Sequence, residues 1–238
     1  MKNQYFGDVN DYRKYSLLRT LSEPGLGQML VTWMMTPDDQ GADGQKRDYL
    51  TKPDKWRGYD PALFDTLAAR LGEPSPEPPN VAMIEQSGLL GSAVFYPAMV
   101  PDDSQQRAKW FSNLLGWARS ADLVFLDPDN GLEVPSCPVG RKGSSKYLGW
   151  SEVDRLWDTG SSLLIYQHFP REERETFAER LAQNLRGRTG APLVEAIRTP
   201  HVLFILLGQS RHGSPLEAGL ADLTNRWGDQ FQRMGVGG

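Results

Sequence analysis

The chain is poor in the residues that build covalent cross-links and metal cages. Its 238 residues include a single cysteine, Cys137, and only three histidines, which lie far apart at positions 168, 201 and 212. One cysteine cannot form an internal disulfide, and it cannot build a cysteine-rich zinc site. We therefore expect no structural metal.

Long apolar runs and a strong charge imbalance are also missing. The longest apolar run, at 202–207, has six residues, whereas a membrane-spanning helix needs about 20. The amino-terminal sequence MKNQYFGDVNDYRKY has no apolar signal segment, so we expect a cytoplasmic protein without a membrane partner. The net charge of −4 decides nothing about nucleic acid, because a basic cleft can lie on an acidic body.

Helical and strand patterns alternate along the chain. With 39% hydrophobic residues there is enough material for a core, and we expect one α/β domain over residues 1–238. The patterns predict helices at 10–21, 60–71, 104–119, 151–158 and 172–185 with a packing helix after 211, and strands at 29–35, 81–84, 93–96, 123–126, 162–166, 193–197 and 202–207.

The predicted strands indicate how the sheet is built. Most are apolar without alternation, which is typical of a parallel sheet buried on both faces. The last two are separated by only four residues, which fits an antiparallel pair. The sequence therefore predicts a three-layer, Rossmann-like sandwich with a mostly parallel sheet and a C-terminal antiparallel hairpin.

Polar residues follow the predicted strands and mark one edge of this sheet. Open α/β sheets bind their ligands beyond the carboxyl ends of the strands. The residues in these positions are Thr36, Asp38, Asp39, Asp43, Glu85, Asp127, Asp129, Asn130, Gln167, His168 and Arg171. As a group they indicate a site, while any single one of them is as readily a solvated turn residue.

The segment DPDNG at 127–131 is the strongest of these. An aspartate and a neighbouring carbonyl at a strand end can accept the two protons of an exocyclic amine, and the proline stiffens the turn. We therefore expect Asp127 to orient an amine with help from Asn130, and we add His168 as a further candidate catalytic residue. The alternative is a plain turn, since the same residues favour turns.

A second segment lies near the amino terminus and follows the spacing G-x-x-x-D-x-x-K-[aromatic]-x-x-L, which is met by Gly7, Asp11, Lys14, Tyr15 and Leu18. It resembles the amino-terminal helix of the ribosomal RNA adenine-N6 methyltransferases related to a competence-associated protein. In that family a G-N-x-A-D-x-x-K-H element lies beside the S-adenosylmethionine pocket, and a D-P-P-Y motif follows the fourth strand.

The resemblance implies that Lys14 lies near the cofactor or substrate and that Asp127 accepts the target amine. We expect Asp11, Thr36, Glu85 and Asp127 in the same cofactor site. The chain differs from the family in having no glycines after the first strand, where it reads WMMTP, and no aromatic residue after Asp127-Pro128. A ring that stacks on a flipped base would then come from Tyr147, Tyr166 or Phe169.

A basic loop with sequence RKGSSKY follows at 141–147. Lysine, arginine and hydroxyl groups can bind phosphate, and a tyrosine offers its face to a base. The alternative is an exposed solubilising loop. The candidate substrate-binding residues are accordingly Asp129, Arg141, Lys142, Lys146, Tyr147 and Arg171.

Three functions are compatible with these patterns. The leading hypothesis is a methyltransferase-like enzyme that uses S-adenosylmethionine to methylate an amine, most plausibly in RNA or DNA. The second is a magnesium-dependent hydrolase or nuclease in which Asp127, Asp129 and Glu133, with Asp38 or Asp43, bind the metal. The third is a non-catalytic protein that kept the methyltransferase-type fold.

Overall fold

The computed structural model describes residues 1–23, 25–38, 44–72 and 78–235. Its helices are α1 Val9–Ser22, α2 Pro53–Trp56, α3 Pro61–Gly72, α4 Ala82–Glu85, α5 Ser104–Ala118, α6 Trp150–Trp157, α7 Arg174–Thr189 and α8 Gly213–Trp227. Its strands are β1 Met29–Thr32, β2 Val94–Phe95, β3 Leu123–Leu126, β4 Gly131–Leu132, β5 Tyr147–Leu148, β6 Ser162–His168, β7 Leu193–Arg198, β8 Val202–Gly208 and β9 Gln232–Gly235.

Seven strands form the main sheet in the order β2-β1-β3-β6-β8-β7-β9. The pairs β1–β2, β1–β3 and β3–β6 are parallel. Strand β8 is antiparallel to both β6 and β7, and β9 is antiparallel to β7. The predicted α/β sheet is confirmed, and β7 and β8 form the expected antiparallel pair. This pair is not the last part of the sheet, because β9 follows it and adds to β7.

The sheet is buried on both faces because its strands carry apolar side chains on both. Successive residues of a strand point to opposite faces, so Val31 packs with α1, α3 and α8 while Leu30 packs with α5, α6 and α7. Two cores result, one on each side of the sheet. This is the three-layer arrangement that the sequence predicts.

One predicted strand is wrong. Residues 82–85 form the one-turn helix α4, in which the Glu85 N–H donates to the Val81 carbonyl at 3.2 Å. Just before it, the Asn80 side chain accepts a hydrogen bond from the Ala82 N–H at 3.0 Å. Glu85 therefore does not follow a strand of the sheet. The short strands β4, β5 and β9 were not predicted, since two of them contain only two residues.

The two ends of the sheet differ in their polar groups. At the amino end, Ser162 Oγ lies 2.8 Å from His212 Nδ1, and His212 Nε2 lies 3.2 Å from Asp122 Oδ1. Arg211 Nε donates a hydrogen bond to the same His212 Nε2 at 2.9 Å. This relay ties β6, the segment before β3 and the start of α8 together, while the carboxyl end of the sheet borders a cleft.

No helix in the described part of the chain is both long enough and apolar enough to cross a bilayer.

Candidate functional site

A cleft of about 570 Å³ lies at the carboxyl ends of β3 and β6. Four parts of the chain line it: residues from 1 to 14, residues 44 and 46, the DPDN segment at 127–130 with Lys146, and the ends of the β6 and β8 strands. A volume of this size suits a small-molecule ligand. The first helix and the DPDN segment, which the resemblance singles out, both reach it.

Lys14 joins these two segments at the bottom of the cleft. Its Nζ donates hydrogen bonds to Asp11 Oδ1 and to Asp127 Oδ2, each at 2.7 Å. All three side chains are 4% exposed or less. Asp11 Oδ2 also accepts the Gly7 N–H at 3.0 Å. Asp11 therefore links Gly7 and Lys14, the first and last polar positions of the amino-terminal motif.

Burial and charge oppose one another in this cluster. Burial alone would lower the pKa of Lys14, but the carboxylates of Asp11 and Asp127 raise it well above its ordinary value. Burial raises the pKa of Asp11 to about 6, and Lys14 limits the rise. Lys14 is therefore a fixed cation, whereas Asp11 changes its charge near neutral pH.

Aromatic rings surround the Lys14 ammonium. Its Nζ lies 5.1 Å from the ring centre of Tyr166 and 5.8 Å from those of Tyr15 and Trp33. Such contacts attract a cation to the face of a ring. Of these rings, Tyr166 lines the cleft, so it is the one that a ligand could also touch.

Asp129 points inward and binds three groups. Its carboxylate lies 3.1 Å from the Met1 nitrogen and 3.8 Å from Lys2 Nζ, and it accepts a hydrogen bond from Thr36 Oγ1 at 3.3 Å. The Thr36 N–H in turn donates to the Met1 carbonyl at 3.0 Å. Asp129 thus ties the turn after β1 to the start of the chain.

Asn130, His168 and Lys146 form part of the cleft rim. The Asn130 N–H donates to the Lys146 carbonyl at 2.9 Å, which places both side chains beside Asp127. The His168 ring stands edge-on to Tyr166 with 5.2 Å between ring centres. Partial withdrawal from water lowers the pKa of His168, so its ring is neutral at pH 7.

Other candidate residues lie away from the cleft. Glu85 accepts the indole N–H of Trp33 at 2.8 Å, and burial raises its pKa. Arg141, Lys142 and Arg171 are exposed and do not line it. Tyr147 lies in β5.

The basic loop does not present its backbone N–H groups to the cleft. The Gly143 and Ser145 N–H groups donate to the two carboxylate oxygens of Asp102, at 2.8 and 2.7 Å. Desolvation of Asp102 is outweighed by these bonds, so its pKa is lowered. Asp102 thus fixes the backbone of the basic loop, and of the loop residues expected to bind substrate only Lys146 lines the cleft.

The residues proposed for a magnesium site are not brought together. Glu133 accepts the N–H groups of Val139 and Trp150 at 2.7 and 3.2 Å, and Asp38 accepts the Gln4 N–H at 3.3 Å. Asp39 and Asp43 lie outside the described residues. Within the described ranges, no group of three or more Asp, Glu, His or Cys side chains is arranged to hold a metal ion.

Several residues of the cleft were not predicted as site residues. Lys2, Asp8, Lys46 and His201 line it. Lys46 is placed there because its own N–H donates to Asp8 Oδ2 at 3.0 Å, while the Val9 N–H donates to its carbonyl. No pattern around Lys46 or His201 distinguishes them in the sequence from other surface residues.

The chemistry of the cleft thus rests on carboxylates at its base, cations at its base and rim, and the rings of Tyr166 and His168 on its wall. It offers acceptors for an amine or ammonium and cations for an anion. Comparison of the chain with family models, with curated proteins and with solved structures found no match in any of the three.

Proposed function

We propose that the cleft transfers a methyl group from S-adenosylmethionine to an exocyclic amine of a nucleobase. The observation that carries the proposal is the 2.7 Å contact between Lys14 Nζ and Asp127 Oδ2. This contact joins the two segments that resemble the adenine-N6 methyltransferases. A mostly parallel sheet closed by an antiparallel hairpin, as in methyltransferase-type Rossmann domains, supports the same function.

The residues around the cleft suit the charged groups of S-adenosylmethionine. The ammonium of its methionine part needs acceptors, which Asp8 and Asp11 supply, and its carboxylate needs a cation such as Lys146. The Tyr166 ring offers a face to the sulfonium or to the adenine. The cleft volume of about 570 Å³ falls within the common range for ligand sites, about 300–1,000 Å³.

These contacts place the cofactor away from the turn after β1. Residues 33–37 of this turn contain no glycine, and Met34 has a positive φ of 47° with its side chain buried in the core. A ligand cannot approach this backbone as closely as it approaches a glycine turn. We therefore place the cofactor over Lys14 and Tyr166.

The chemistry requires placement more than strong acid or base groups. When bound, S-adenosylmethionine supplies an electrophilic methyl group. Asp127 Oδ1 accepts no hydrogen bond from the described residues, and together with the Pro128 carbonyl it can accept the two N–H groups of the target amine, which directs the nitrogen lone pair toward the methyl carbon. A bound S-adenosylmethionine would supply the methyl group and leave as S-adenosylhomocysteine, and Asp127 Oδ1 would accept the proton that the amine nitrogen releases and pass it to water.

Lys14 is a positioning residue in this scheme. Its ammonium donates a hydrogen bond to Asp127 Oδ2 and so fixes the orientation of the carboxylate, with Oδ1 left for the amine. The same contact favours methyl transfer over the magnesium-dependent alternative, because a metal ion bound by Asp127 would have to share this carboxylate with an ammonium that lies 2.7 Å from it.

Calorimetry and a methyl-transfer assay test the proposal. We expect saturable S-adenosylmethionine binding by the wild-type protein, by Asp127→Asn and by a control, Asp65→Asn, at an exposed ion pair. With single-stranded RNA and DNA as acceptors, Asp127→Asn should lose about 100-fold in transfer rate, since a neutral amide cannot take up the proton that the amine releases, while the control keeps the wild-type rate.

Absence of binding heat at about 1 mM S-adenosylmethionine, a concentration that detects binding as weak as about −4 kcal/mol, would refute the proposal. Such a result would favour the non-catalytic alternative. Equal transfer rates for Asp127→Asn and the wild-type protein would remove Asp127 from its proposed role.

A further inference from the structure

A second groove of about 330 Å³ lies across a hairpin turn from the cleft. The turn joins β7 to β8 and is closed by a hydrogen bond from the Thr199 N–H to the Val202 carbonyl at 2.8 Å. Residues 201 and 202 line the cleft, whereas residues 199 and 200 line the second groove together with Arg174 and Arg198. A ligand that is long enough could therefore occupy both grooves by passing over one turn.

Arg13 lies in the wall between the two grooves and is only 4% exposed. Its guanidinium donates to Gln230 Oε1 at 2.7 and 3.3 Å and to Asn10 Oδ1 at 3.3 Å, which are both neutral amide oxygens. Asn10 lines the cleft and Gln230 lines the second groove. Among the described residues Arg13 forms no ion pair, and burial lowers its pKa. An enclosed cation without a counterion attracts an anion.

Further positive charges surround His201 at the turn. Partial burial lowers the pKa of His201, and the charges of Lys46, Arg13 and Arg174 lower it further, while Asp8 opposes them. Lys46 lines the cleft together with His201, and Arg174 lines the second groove on the other side of the same turn. Arg174 Nη1 donates to the Pro200 carbonyl at 2.8 Å, and no carboxylate of the described chain is within ion-pair distance of it.

The carboxylates near the turn have other partners. Asp8 accepts the N–H groups of Asn10 and Lys46. Asp229 accepts the Tyr59 hydroxyl. Glu175 lies 3.7 Å from an Arg198 nitrogen, and Glu173 caps α7 by accepting two backbone N–H groups. None of them neutralises Arg13 or Arg174 by direct contact.

We propose that this turn binds a phosphodiester group of a single-stranded nucleic acid, with Lys46, His201 and Arg174 around the phosphate and Arg13 beneath them. The strand runs from the cleft over the turn into the second groove. The proposal rests on the proposed function for its nucleic-acid substrate and adds the path of the strand. Grooves on both sides of the phosphate favour a polymer over a free nucleotide, which would occupy the cleft alone.

Fluorescence anisotropy with labelled single-stranded oligonucleotides of about 12 nucleotides tests the path. We expect Lys46→Ala and Arg174→Ala each to weaken binding about 3- to 10-fold for every sequence and to reduce the slope of log affinity against log salt by about 0.7. Arg174→Lys, which keeps the charge, should restore most of the affinity. Arg180→Ala is the matched control, because Arg180 is exposed on the same helix and pairs with Glu172.

Three outcomes would overturn the inference. The variants at 46 and 174 could bind the oligonucleotide as tightly as Arg180→Ala does, or polyglutamate could compete for the protein as well as an oligonucleotide of equal charge. In the third, the variants weaken binding of a nucleoside monophosphate as much as binding of the oligonucleotide. The last outcome would assign the cations to a free nucleotide. If S-adenosylmethionine fails to bind while the variants still weaken oligonucleotide binding, the proposed function fails and the strand path stands. If methyl transfer occurs and these variants have no effect, the strand path alone is wrong.

Discussion

Replacing Lys14 by methionine should destabilise the protein strongly. Methionine keeps most of the side-chain volume but removes the charge between Asp11 and Asp127. Both carboxylates then remain in a site where their side chains are 4% exposed or less, with no cation in contact at that position. Removing one partner of a buried ion pair costs about 3–5 kcal/mol, a large part of the 5–15 kcal/mol by which a domain is stable.

The loss should depend on pH in a defined direction. The pKa of Asp11 is already raised to about 6 in the wild-type protein, where Lys14 limits the rise, so removal of Lys14 raises the pKa of Asp11 further. The folded variant then binds protons that the unfolded chain, with ordinary carboxyl pKa values near 4, has released. Its stability therefore increases as the pH falls from about 8 to about 5, and the difference from the wild-type protein shrinks over the same interval.

Urea denaturation at these two pH values measures the effect. Arg57→Met is the control, because the Arg57–Asp65 pair is 52% exposed on both sides and should give a small loss without a pH trend. The combination of Lys14→Met with Asp11→Asn and Asp127→Asn should recover most of the stability, since no buried charge remains. If Lys14→Met costs no more than Arg57→Met, or costs the same at both pH values, the reasoning about this cluster is wrong.

Two further substitutions test the packing that supports the site. Gly131→Ala should lower the free energy of unfolding by about 1–3 kcal/mol more than Gly143→Ala does, as measured by thermal or urea denaturation. Both glycines have a positive φ, but only a Cβ at 131 would overlap the Gln167 side chain. Equal losses of stability in the two variants would contradict this contact. Arg107→Met should lower the free energy of unfolding by about 3–5 kcal/mol, since Arg107 donates to both oxygens of Glu152 at 2.7 and 2.8 Å. Adding Glu152→Leu to the same chain should restore much of this stability. If it does not, the charge pair is not the cause of the loss.

The longer elements could be predicted because their apolar patterns are long enough to be distinctive. The buried apolar run at 123–126 predicted a strand of the parallel part of the sheet, and the short link between β7 and β8 predicted their antiparallel pairing. The apolar run at 81–84 could not be assigned in this way, since four apolar residues fit a strand or a helical turn equally. In the structure the Ala82 N–H donates to the Asn80 side chain and the Glu85 N–H to the Val81 carbonyl, so the backbone forms a turn there.

The base of the cleft was accessible from the sequence for a topological reason. The DPDN segment follows a parallel strand, and such strands end at one edge of the sheet, where Lys14 of the first helix meets Asp127. Glu85 failed to join them because the strand before it does not exist. The position of the basic loop was not predicted, because its N–H groups bind Asp102, a partner distant in sequence. Lys46 and His201 reach the cleft only through the packing of loops, which the sequence pattern does not show.

The arrangement of Ser162, His212 and Asp122 shows that interatomic distances alone do not identify a hydrolase. A template for a serine nucleophile with its histidine and aspartate would retrieve this trio, yet Ser162 is fully buried and no reactant can reach its oxygen. Ser162 Oγ also accepts the Gln209 N–H at 3.0 Å, so the hydroxyl is held between two neighbours. In this molecule the arrangement is a structural hydrogen-bond network, and the burial of the serine distinguishes it from a catalytic triad.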